Sequence, residues 1–218
     1  MSDIHKKIKK KQFAPLYLLY GTEAFFINET IKLITTEALE EEDREFNVVT
    51  YDLEEAYLED VVEDARTLPF FGERKVLLIK SPLFLTSQKE KLEQNIKILE
   101  EYIGEPSPFS ILVFVAPYEK LDERKKITKL LKKTADVVEA NAMQIQDVQK
   151  WIVARADEVH VHIDNAAVSL LLELVGSNVT MLAKEMDKLT LYVGMGGEIT
   201  TKLVAELVPK SVEQNVFA

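Results

Sequence analysis

Leu16-Tyr17-Leu18-Leu19-Tyr20, followed by Gly21-Thr22-Glu23-Ala24-Phe25-Phe26, is the stretch on which the fold turns. Five consecutive apolar or aromatic residues suit a strand covered on both faces, as in a parallel sheet. The glycine then breaks the strand. Beyond it Ile27, Ile31, Ile34 and Ala38 recur at spacings of four and three, which puts them on one face of a helix, with Thr22 as its capping residue. Strand, glycine turn, helix is the opening unit of a phosphate-binding α/β fold.

Four more strands are expected at 47–51 (NVVTY), 75–79 (KVLLI), 111–115 (ILVFV) and 136–139 (DVVE). Helical patterns separate them. One spans 54–66, with Leu58, Val61, Val62 and Ala65 on one side. A second spans 86–102, with Leu92, Ile96 and Leu99 inward. A third spans 123–134, with Ile127, Leu130 and Leu131 inward and Lys125, Lys129, Lys132 and Lys133 opposite. The alternation predicts a doubly wound parallel five-stranded α/β sheet. After Ala140 no strand signal follows. Helices are expected at 144–159, with Ile145, Val148 and Ile152 on one face, at 165–175 before Gly176, at 178–193 before Gly194 with Asn178 as its capping residue, and from the capping residue Thr200 to a stop before Pro209. The domains are therefore set at 1–141 (α/β) and 142–210 (small, all-helical), the outline of an AAA+ module. Residues 211–218 (SVEQNVFA) read as the start of a further helical domain.

Composition narrows the function. The chain has 218 residues, 47% of them hydrophobic and 29% charged, with a formal net charge of −10. That charge argues against tight, independent binding to DNA, itself a dense line of negative charge. Basic residues do gather locally, at Lys6, Lys7, Lys9, Lys10 and Lys11, and again at Lys120, Arg124, Lys125, Lys126, Lys129, Lys132 and Lys133. The lysines of the 123–134 helix (Lys125, Lys129, Lys132, Lys133) are the possible DNA-facing group, and a solvated helix face is the simpler reading. There are no cysteines, which removes disulfides and thiolate metal sites and fits a reducing cytosol. The N-terminus carries charge without the apolar core of a secretory signal.

A phosphate loop needs glycines, a Lys for the β/γ charges and a Ser or Thr for Mg²⁺. Here Gly21-Thr22-Glu23 offers one glycine, no Lys, and an acid where positive charge is wanted. The third and fourth strands run into Lys80-Ser81-Pro82 and Ala116-Pro117, without the carboxylate that would hold a nucleotide's Mg²⁺. His160 and His162 are two polar loop residues with no thiol beside them, so no metal site is assigned. No nucleophile elbow occurs. Neither a catalytic residue nor a cofactor is expected.

Three further stretches carry a family resemblance: YLLYGTEAFFINETIKLI near the start, LPFFGERKVLLIKSP in the middle of the first domain, and EMDKLTLYVGMGGEIT with VPKSVEQNVF near the end. In this order they resemble the delta subunit of the bacterial DNA polymerase III clamp loader, and the resemblance implies an AAA+ fold that does not bind ATP. Ala183-Lys184 ahead of Glu185 departs from the family, which more often has Asn there. The resemblance implies a cytoplasmic replication subunit that binds and opens the ring-shaped sliding clamp. It also implies assembly with the ATPase subunits (gamma/tau) and delta-prime through a third domain beginning near Ser211, and contact with primer-template DNA only within that complex. Polymerase activity would belong to the holoenzyme.

The family's clamp contact maps to Phe70 and Phe71, flanked by Leu68 and Pro69. Leu68-Pro69-Phe70-Phe71 is an apolar run between a helix and a strand, where polar turn residues are usual. From the residues alone, filling the base of the domain and facing a partner stand equal; the resemblance favours the partner. Two rival functions follow from the fold and the basic clusters. One is an active P-loop-like nucleotide enzyme, disfavoured by the Gly21 loop; the other is a stand-alone DNA-binding protein, disfavoured by the charge.

Overall fold

A computed structural model describes residues 3–210. They divide into two compact units, one ending at Ala142 and the other beginning at Met143.

The first unit starts with helix α1 (Asp3–Lys9), strand β1 (Leu16–Tyr20) and helix α2 (Ala24–Ala38). A short helix α3 (Arg44–Asn47) leads into β2 (Val48–Asp52), then α4 (Leu58–Arg66), β3 (Lys75–Lys80), α5 (Ile96–Gly104), β4 (Ser110–Ala116), α6 (Lys126–Thr134) and β5 (Asp136–Glu139). All five strands are parallel, in the order β2-β3-β4-β1-β5. The inner strands hold the longest apolar runs: every residue of β1 is buried, whereas the edge strands β2 and β5 are only partly covered.

Strand alternation sorts those side chains into two layers. Leu16, Leu18, Leu77, Ile79, Leu112 and Phe114 pack on one face against Leu58, Val62 and Ala65 of α4, Leu99 and Tyr102 of α5, and Ile127 and Leu131 of α6. Tyr17, Leu19, Val76, Leu78, Ile111 and Val113 pack on the other against Ile8 of α1 and Ile27 and Ile34 of α2. Ile4 joins this layer and Lys7 pairs with Asp136 at 3.4 Å, so the lysine-rich N-terminal helix is seated on the sheet. This is the AAA+-like α/β architecture expected from the sequence, with a mostly helical region after it.

The second unit contains α7 (Ile145–Glu158), α8 (Asn165–Val175), α9 (Val179–Val193) and α10 (Thr201–Leu207). Asp164, Asn178 and Thr200 cap α8, α9 and α10 with side-chain oxygens on Ala167, Met181 and Leu203 amides, and Gly176 and Gly194 close α8 and α9. No helix of the described residues is long and apolar enough to cross a membrane.

Several expectations need correction. Glu23, not Thr22, is the residue before α2, and its side chain makes no capping bond. The helix expected over 86–102 forms only from Ile96. The segment before it is drawn into a loop because buried Gln94 accepts from the Leu58 amide at 2.9 Å and donates to the Leu53 and Ala56 carbonyls. The helices expected from 54 and 123 begin at Leu58 and Lys126, since Asp52 and Asp122 side chains bind the amides of Glu54 and Arg124 in turns. Ile145 is exposed rather than inward. The region after Ala140 is not strand-free: β6 (His162–Ile163) and β7 (Glu198–Ile199) form a two-residue parallel pair, too short to carry a period. Residues 211–218, read as the start of a further domain, lie outside the described residues.

Candidate functional site

The turn after β1 lies at the carboxyl end of the sheet, where open α/β folds hold their ligands. Two of its backbone donors are already engaged. The Gly21 amide donates to the Ala116 carbonyl at 3.2 Å and the Glu23 amide to the Ala140 carbonyl at 2.7 Å, while the Ala140 amide donates to Tyr20 O at 2.6 Å. Gly21 has φ of +131°, and an added Cβ would lie 2.2 Å from the Ala140 carbonyl oxygen. The glycine thus serves close packing of the turn against the chain leaving β5.

Side chains reinforce that closure. The Tyr20 hydroxyl donates to Glu139 Oε2 at 2.8 Å, and Lys132 lies over the Tyr20 ring at 4.7 Å while pairing with Glu123. Burial, and then the bond to Glu139, raise the Tyr20 pKa above its ordinary value. Of the four lysines expected on one exposed face, Lys132 is therefore turned to Tyr20 and Glu123, and Lys125 donates to the Phe84 carbonyl at 2.9 Å. Only Lys129 and Lys133 of that set are exposed.

The segment from α4 to β3 is different in kind. Leu68 and Phe70 are 76% and 79% exposed, Phe71 is 46% exposed, and Pro69 is half-buried between them. These large apolar side chains stand on a firmly tied base. Lys75, almost wholly buried, sends its ammonium to Asp64 Oδ1 at 2.6 Å, to Thr67 Oγ1 at 2.8 Å and to the Asp64 carbonyl. Tyr51 donates to the other Asp64 oxygen at 2.9 Å. On the far side, buried Asn47 donates from Nδ2 to the Phe71 carbonyl at 2.6 Å. Gly72 takes φ of +63°, a conformation that an L side chain rarely adopts, with the Asp43 carboxylate against it. The loop is thus fastened at both ends while its apolar tip faces outward.

The structure adds a residue that sequence reasoning missed. Phe46 of α3 is 55% exposed and meets Phe71 edge-on at 5.3 Å, and Phe71 meets Phe70 at 4.7 Å. The available signal was an aromatic ending an acidic run, Glu40 to Glu45, one residue before the buried Asn47.

A family described as DNA polymerase III, delta subunit, matches residues 17–141, and one described as a middle domain matches residues 144–206. The DNA polymerase III subunit delta of Bacillus subtilis (strain 168) is 40% identical over 217 residues, covering 99% of this chain and 62% of that protein. The solved structure of a Bacillus subtilis DNA clamp loader delta protein matches with a TM-score of 0.91 at 40% identity, over 99% of this chain and 64% of that one. The chain thus spans less than two thirds of the length of these relatives.

Proposed function

This chain belongs to the DNA polymerase III delta-subunit family, and from that premise we propose that it binds the sliding clamp ring through Leu68, Pro69, Phe70 and Phe71 and helps to open it for loading on primed DNA. The observation that carries the reading is the contrast within one loop: Phe70 is 79% exposed, yet the backbone beneath it is held by Lys75, Thr67 and Asn47. Exposed aromatics on a rigid base are what an anchor needs, because little ordering entropy is lost on docking. Burying one such ring in a pocket contributes about 1.5–3 kcal/mol from area alone.

Ring opening follows from differential affinity. A subunit shifts the clamp between closed and open only as far as it binds the open form more tightly. The apolar tip, acting as a wedge, supplies binding free energy; motion would come from the ATPase neighbours (gamma/tau), which with delta-prime would join through a further C-terminal domain. Primer-template DNA would be met only in that assembly, in the bacterial cytoplasm. The chain itself performs no nucleotidyl transfer and no ATP hydrolysis in this reading. The engaged amides of Gly21 and Glu23, with Glu23 beside them, support that part.

The test is capture of purified sliding clamp by the unaltered chain and by Phe71→Ala and Phe70→Ala/Phe71→Ala, each with a thermal melt. Calorimetric titration with Mg-ATP is expected to give no binding, and saturable heat would overturn the non-catalytic part. Gel shifts of the isolated chain should show only weak DNA binding that disappears with salt.

A further inference from the structure

The apolar surface does not end at the loop. Phe46, Phe71 and Phe70 form a chain of edge-on rings that carries it onto α3, a separate element. A lone exposed aromatic needs no explanation, but contiguous ones together with Leu68 do. The segment leading to Phe46 is fastened to the loop by Asn47 and by the approach of Asp43 to Gly72, so the two segments present one surface.

That surface has an acidic border. Glu41, Glu42 and Glu45 are exposed and take part in none of the ion pairs among the described residues. Glu42 precedes Phe46 by four residues across two consecutive helical turns, Glu41–Asp43 and α3, which sets them on the same side. The one base within this run, Arg44, turns away and donates to the Thr36 carbonyl at 3.1 Å. Glu73, two residues after Phe71, adds a further exposed carboxylate. Arg66 is an exposed base at the end of α4, while Arg74 lies over the Phe13 ring at 5.3 Å.

We infer that Phe46 is a third aromatic anchor and that Glu41, Glu42 and Glu45 select a protein partner whose apolar cleft is rimmed by lysine or arginine. This rests on the clamp reading above and adds to it the chemistry of the surface that receives the wedge. A carboxylate border repels nucleic acid and anionic lipid, and two copies of it repel each other. Opposite charges across an interface chiefly accelerate association and make it salt-dependent.

The experiment measures association and dissociation of purified sliding clamp with the 218-residue chain at low and moderate salt. The variants are Phe46→Ala, Phe46→Leu, Phe70→Ala and the triple change Glu41→Gln/Glu42→Gln/Glu45→Gln, with urea midpoints as a check on folding. Phe46→Ala is expected to weaken binding about tenfold through faster dissociation, and Phe46→Leu by less. The triple change is expected to slow association about tenfold at low salt and to flatten its salt dependence. The inference is overturned if Phe70→Ala loses binding while Phe46→Ala and the triple change stay within twofold of the unaltered chain. Failure of the unaltered chain to bind clamp overturns the clamp reading and this inference with it. A concentration-dependent dimer abolished by Phe46→Ala overturns it in favour of self-association.

Discussion

Lys75→Met tests whether the loop that carries the aromatic tip is braced from below. The side chain is 5% exposed and its ammonium meets Asp64 Oδ1 at 2.6 Å, Thr67 Oγ1 at 2.8 Å and the Asp64 carbonyl. Methionine keeps the aliphatic bulk and removes all three donors. Breaking a buried ion pair by deleting one partner costs about 3–5 kcal/mol. Asp64 is about a quarter exposed and keeps the Tyr51 hydroxyl, so part of the lost interaction is recovered by water. The lower end, about 3 kcal/mol, is therefore expected. The assay is urea unfolding of the sheet-containing unit followed by far-UV circular dichroism. The midpoint should fall with the slope unchanged, since the loss is in the native state. Lys129→Met, on an exposed residue of α6, should change stability by less than about 0.5 kcal/mol. A Lys75→Met loss below about 1 kcal/mol would refute the reasoning, because the buried ammonium would then not be holding the loop.

Three further outcomes are expected. Gly21→Ala should destabilise the first unit by more than the roughly 1–3 kcal/mol of a strained backbone region, because its Cβ would also meet the Ala140 carbonyl oxygen at 2.2 Å; a urea midpoint equal to the unaltered chain would count against the closed turn. Burial first, and then the bond to Asp64, raise the Tyr51 pKa above 10.0, so the native state holds that proton longer than the unfolded state. Its contribution is full below about pH 10 and is lost as pH rises further; Tyr51→Phe should give a shallower alkaline decline in urea midpoint, and an unchanged slope would contradict this. Asn178→Ala should lower the stability of the second unit by about 1 kcal/mol through loss of the cap on Met181, read by amide hydrogen exchange in α9, and undiminished protection there would refute the capping role.

The parts of the fold that were legible in the sequence are those fixed by short-range pattern. The unbroken apolar runs at 16–20, 76–79 and 111–115 became the inner strands because only a strand covered on both faces can be apolar at every position. Asn178 and Thr200 were readable as caps because a cap is a local bond. Long-range satisfaction was not readable. Nothing near Gln94 announces that its amide will serve Leu53, Ala56 and Leu58, which is why helix was expected there. Lys125 and Lys132 looked like one exposed face with Lys129 and Lys133, yet their partners Phe84, Tyr20 and Glu123 come from other elements. At the apolar tip, Phe70 and Phe71 drew notice as an apolar pair where a turn was due. Phe46 did not, because its contact with Phe71 joins residues 25 positions apart.

The most direct measurement is the equilibrium affinity of purified sliding clamp for the unaltered chain and for Phe70→Ala/Phe71→Ala, with urea midpoints recorded for both. Two rings at about 1.5–3 kcal/mol each, and about 1.4 kcal/mol per tenfold, give an expected weakening of roughly a hundredfold or more. The midpoint should be unchanged, since Phe70 and Phe71 are 79% and 46% exposed. A folded double variant that binds the clamp within threefold of the unaltered chain would contradict the account.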